Sequence, residues 1–140
     1  MKSLSVKPFY SKIATIIFLL PLIFSLNVAL VIIYGHETLD ENKIDKVFHI
    51  LGGVSISLSA AGVLWHLIHQ NKIQLQDANV FRALVFGIVC FAVIGWEVFE
   101  YFSFFPLFPN VVSYSDTIID MICGLAGGLF AMYFVRRPVG

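Results

Sequence analysis

Six ionisable residues of this chain fall into three pairs at helical spacing. Asp45 and His49 are four apart, Glu97 and Glu100 three apart, Asp116 and Asp120 four apart. Each spacing puts both members on one helix face. Carboxylates gathered around one imidazole suit a divalent metal such as zinc, manganese or magnesium. His49, Glu97, Asp120 and Asp45 are the expected ligands. Glu100 or Asp116 is then the expected catalytic residue, as a further ligand or as general base, beside an ion that polarises a phosphoryl or ester oxygen or activates water.

The segments that must position these pairs are apolar. The chain has 140 residues, of which 59% are hydrophobic and 13% charged, and its mean hydropathy is +0.87. Soluble domains are about half apolar and a quarter charged. Net charge is zero, and without a basic tract nucleic-acid binding has no electrostatic footprint. Cys90 and Cys123 both lie in apolar runs at different depths, which argues against a disulfide.

A membrane-crossing helix needs about 20 largely apolar residues. Four runs qualify, at about residues 13–34, 47–69, 81–105 and 116–135. The first has a basic flank, but its apolar core is too long for a cleaved signal and no small-residue cleavage site follows. It reads as a retained signal anchor. The fold class expected is all-α: a polytopic four-helix membrane bundle forming one domain over residues 1–140.

Lysine and arginine set orientation. Lys2, Lys7, Lys12, Lys72, Arg82, Arg136 and Arg137 fall on one side, which is therefore cytoplasmic; the other side holds only Lys43 and Lys46. Both termini are expected inside, in the inner (cytoplasmic) membrane. The external loops are then GHETLDENKIDK and FPLFPNVVSYS. The aromatic second loop is expected to lie on the membrane as an anchoring belt, with a place roofing the site as its alternative.

This orientation puts all three pairs at external helix ends. At about 1.5 Å rise per residue, His49, Glu97 and Asp120 lie at one depth, a few ångströms inside the boundary. Below His49 the stripe continues through Gly53, Ser57 and Ala61; below Asp120 it continues through Gly124 and Gly128. Small residues let membrane helices approach closely, so the second and fourth spans are expected to pack and bring His49 to Asp120. Gly87 and Cys90 are expected to continue the face of Glu97. A buried, unpaired charge in lipid is costly, so the acids must bind a cation, share protons or face water. Asp45, Glu100 and Asp116 also lie near enough to the boundary to be solvated or to cap helices. Ser115 or Asp116 would make an N-cap for the fourth span. Asn27 is expected in an interhelical hydrogen bond, and His66 and His69 at the cytoplasmic interface.

In order along the chain, DKVFHILGG, WEVFEYF and YSDTIIDMICGLAGG resemble the VanZ-like and YjdF-like families of small bacterial membrane proteins. Those families carry Asp-x-x-x-His at a helix start, a Glu-centred motif, then Asp-x-x-x-Asp or Asp-x-x-x-Asn before glycines. The matching positions are Asp45, His49, Glu97, Glu100, Asp116, Asp120 and Gly124. VanZ-type sequences tend to have Gln at the place of Glu100, Asn at that of Asp120, and an external-loop Arg that this chain lacks. The resemblance implies a membrane bundle and a shared polar site.

Three functions fit these residues. The first is metal-dependent action on a lipid or lipid-linked envelope substrate at the outer leaflet. The second is an accessory or scaffold role, with a structural polar cluster and a protein partner or a second copy of the chain. The third is ion movement, for which no polar ladder reaches the inner side.

Overall fold

The computed structural model describes residues 22–23, 25–27, 29–35, 43–104 and 114–135. Three long helices follow one another: α1 (Ile44–His69), α2 (Ala78–Phe104) and α3 (Tyr114–Phe134). All three are long and apolar enough to cross a membrane, so this is a helical membrane protein. The described part of the first expected span is helical and apolar over Ser25–Tyr34. The rest of that span, the loop residues 36–42 and 105–113, and Lys2, Lys7, Lys12, Arg136 and Arg137 lie outside the described residues.

The turn joining α1 to α2 is encoded locally. Asn71 adopts a left-handed backbone with φ 55°, which asparagine tolerates better than most residues. The Asn71 amide donates to the Ile68 carbonyl and the Lys72 amide to the Leu67 carbonyl, the paired bonds that close a helix C-terminus. α2 then opens on Asp77, whose Oδ1 accepts the Asn79 amide at 2.6 Å, the usual work of an N-cap.

Each helix starts two or three residues before its apolar run. α3 begins at Tyr114, so Ser115 and Asp116 stand inside its first turn and neither is the N-cap expected from the sequence. α1 begins at Ile44, which places Asp45 in the helix.

Glycines set how closely the helices pack. A Cβ on Gly53 would overlap the Gly124 carbonyl and lie 2.9 Å from the Gly128 amide nitrogen; one on Gly127 would overlap the Ile50 carbonyl. α1 and α3 therefore meet backbone to backbone, as the two small-residue stripes predict. On its other side α3 receives valines: Val93 lies 3.0 Å from where a Gly124 Cβ would be. The buried row of α2 runs Phe81, Val85, Val89, Val93 and Glu97, one residue in four. Gly87, expected on that face, is exposed with nothing near it. A stride of four follows a ridge inclined to the helix axis, so helix crossing rather than a fixed face decides what is buried. Large apolar residues such as Phe91 and Phe130 point outward, as a lipid-facing surface requires.

Candidate functional site

The site follows from this packing by one further turn of each helix. His49 is one turn above Gly53, Asp120 one turn above Gly124, and Glu97 one turn above Val93. Rows that touch below must converge above. Asp45, His49, Glu97 and Asp120 are all buried, with Asp120 only 3% exposed. Glu100 is half-buried.

His49 is the hub. Its Nε2 lies 3.5 Å from Asp45 Oδ1 and 3.7 Å from Asp120 Oδ1, and its Nδ1 lies 3.5 Å from Glu97 Oε1. These gaps exceed good hydrogen-bond distances. His49 Nε2 and Glu97 Oε1 have no hydrogen-bond partner, although buried polar atoms almost always have one. Zinc bonds nitrogen and oxygen at about 2.0–2.2 Å, so two ligands on one tetrahedral ion stand about 3.3–3.6 Å apart. The observed separations are close to that. Two triads offer ligand atoms within 4.8 Å of one another: Asp45, His49 and Asp120, and His49, Glu97 and Glu100. Either triad could hold a metal, and both include the imidazole of His49.

Lys46 is the residue that sequence reasoning missed. Its Nζ lies 2.8 Å from Asp120 Oδ1 and 3.3 Å from Asp45 Oδ2, and it also pairs with Asp116. One ammonium thus joins three carboxylates, two of them on α3. A signal was present: Lys46 is three residues before His49 and so on its face. It sits on the Asp45/Asp120 side of the imidazole, while the Glu97/Glu100 side has no lysine or arginine ion pair among the described residues.

The remaining sequence expectations divide. His69, far from the cluster, stacks on Trp65 with ring centroids 5.2 Å apart. Cys90 and Cys123 are free thiols. Asn27, expected in an interhelical hydrogen bond, has its Oδ1 buried and without a hydrogen-bond partner among the described residues. It lines a cavity of about 690 Å³ between α1, α2, Gly124 of α3 and the preceding helical residues. His49 and Trp96 also border that cavity, which begins where the polar cluster ends. No family model, curated protein or solved structure matches this chain.

Proposed function

We propose that the protein is a metal-dependent hydrolase or transferase acting on a lipid or lipid-linked envelope substrate at the outer boundary of the bacterial inner membrane. The topology belongs to the same reading: four spans with both termini inside. The observation that carries it is the gap around His49. Buried atoms from three helices face one another at ligand-like separations, and two of them have no hydrogen bond. Ionisable groups left in that state inside a membrane are costly and mark functional sites.

A divalent ion bound here would supply Lewis-acid polarisation of a substrate oxygen and an acidified water. His49 would hold it with Asp45 and Asp120, or with Glu97 and Glu100. In the first arrangement Glu100, half-buried at the border of the cluster, would be the group that accepts a proton from water or a substrate hydroxyl. Asp116 is already engaged by Lys46. In this reading it holds that ammonium beside Asp120, where the positive charge can meet a phosphate or a developing oxyanion.

The test is elemental analysis of detergent-purified protein. Wild type is expected to carry near-stoichiometric zinc or manganese, and His49→Ala is expected to lose it while remaining monodisperse. Comparing Asp120→Asn with Glu97→Gln shows which triad binds. Folded wild-type protein without metal, after growth with added zinc and manganese, would remove the metal mechanism.

A second reading has its own support. Lys46 already balances part of the acidic charge, as a structural network in an accessory or scaffold subunit would. That reading predicts that Asp120→Asn lowers thermal stability and leaves any separable activity intact.

A further inference from the structure

Gly52 and Gly53 are neighbours in mid-helix with opposite surroundings. Glycine there costs about 1 kcal/mol relative to alanine. At Gly53 the close approach of α3 explains the choice. At Gly52 a Cβ would meet nothing within 4 Å. What Gly52 leaves open is the cavity, which it lines.

That cavity has the size of a ligand pocket, within the usual range of about 300–1,000 Å³. Its walls are chiefly apolar, with Ile56, Val63 and Leu64 on α1 facing Ile88 and Ala92 on α2. Its outer end is marked by His49 and Trp96, and Glu100 stands one turn above Trp96 on the same helix. Gly124 of α3, one turn below Asp120, also borders the cavity, so the ionisable side chain at its head is His49 itself. His49 and Leu64 both line it. Fifteen residues separate them, or about 22 Å along the helix. Half of the hydrocarbon core measures only about 15 Å, so the cavity passes the middle of the membrane.

We infer that this cavity seats a single hydrocarbon chain longer than one bilayer leaflet, of the polyprenyl class, with the polar end of the lipid at His49. This rests on the proposed lipid substrate and names its class. Bulk phospholipid chains are disordered and end near the midplane, so one would have to straighten fully, at a cost in chain freedom, to fill the inner part of the cavity. An extended isoprenoid chain reaches it.

Binding of undecaprenol and of dioleoylglycerol to the purified full-length protein, followed by native mass spectrometry, tests the inference. Both probes are uncharged, so neither needs a metal to bind. Wild type is expected to bind undecaprenol about ten-fold more tightly than dioleoylglycerol. Gly52→Leu projects into open cavity and is expected to weaken undecaprenol binding about ten-fold, with metal content unchanged and the melting temperature not lowered. Val63→Trp, a second obstruction further in, is expected to remove the preference for the longer chain. Equal undecaprenol binding by wild type and by folded Gly52→Leu and Val63→Trp overturns the inference. So does equal binding of the two probes by wild type. Loss of undecaprenol from Gly52→Leu in a protein that carries no metal keeps the cavity and removes only the metal mechanism.

Discussion

The two ends of this bundle are built from the same three helices and differ in almost everything else. Toward the α1–α2 turn, Ala60, Ala61, Phe81 and Val85 form an apolar core, with Leu64, Ile68, Leu75, Met132 and Val135 packed against it. At the other end the buried side chains are Asp45, His49, Glu97 and Asp120. Lipid is as apolar as leucine, so burying apolar surface does little to join helices within a membrane; close packing does that work. The glycine contacts between α1 and α3 supply such packing along the middle of the bundle. The outer end can then be given over to polar groups, because the packed rows beneath already fix where they point.

Lys46 is the sharpest test of that contrast. It is the charge that makes the polar end tolerable, in contact with Asp45, Asp116 and Asp120. Removing one partner from a buried ion network costs about 3–5 kcal/mol, because the others are left uncompensated. Lys46→Met is expected to lower the thermal stability of detergent-solubilised protein by an amount in that range. Adding Asp116→Asn to Lys46→Met should recover part of the loss. A melting temperature equal to wild type for Lys46→Met would mean that the acids are balanced by something other than this ammonium.

The same contrast explains what could be read from the sequence. The three helices, the convergence of Asp45, His49, Glu97 and Asp120, and the seam of Gly53 on Gly124 and Gly128 all follow from spacing along single helices. Lys46 did not follow. Beside Asp45 it counts as one more loop-side charge, and its long stem reaches aspartates on α3 only once the helices are packed. Gly87 was assigned to the wrong face because the buried row of α2 tracks its crossing with α3, which no single-helix period encodes. Asp116 was a candidate cap because hydropathy marks where a chain turns apolar, and α3 is already helical two residues earlier. The cavity left no mark at all: a residue facing it and a residue facing lipid are chosen from the same apolar set.

The seam between α1 and α3 gives the next smaller effect. Alanine at Gly53 would place a methyl group against the Gly124 carbonyl, with the Gly124 carbonyl carbon at 2.8 Å and the Gly128 nitrogen at 2.9 Å. These are backbone atoms on both sides, so no side chain can turn away and the helices must separate. Overpacking of this kind costs about 1–3 kcal/mol, read as a lower midpoint of thermal unfolding. It should also loosen the site one turn above, so metal content is expected to fall with stability in Gly53→Ala. Gly53→Ala protein that keeps its full metal content at a lowered midpoint would show that the site holds its shape without the seam.

Gly52→Ala carries the smallest expected effect, and its sign is opposite. The substitution adds the same methyl group one residue earlier, where it meets nothing within 4 Å. With no clash to oppose it, the helix-propensity difference of up to about 1 kcal/mol should appear as a slight gain in stability. The pair therefore isolates neighbourhood from chemistry, since residue type, helix and depth are nearly constant between the two positions. If Gly52→Ala destabilised the protein as much as Gly53→Ala does, the face of α1 that carries Gly52 would be covered by protein. The space beside it would then not be open to a lipid chain, and the division between packed seam and open cavity would have to be redrawn.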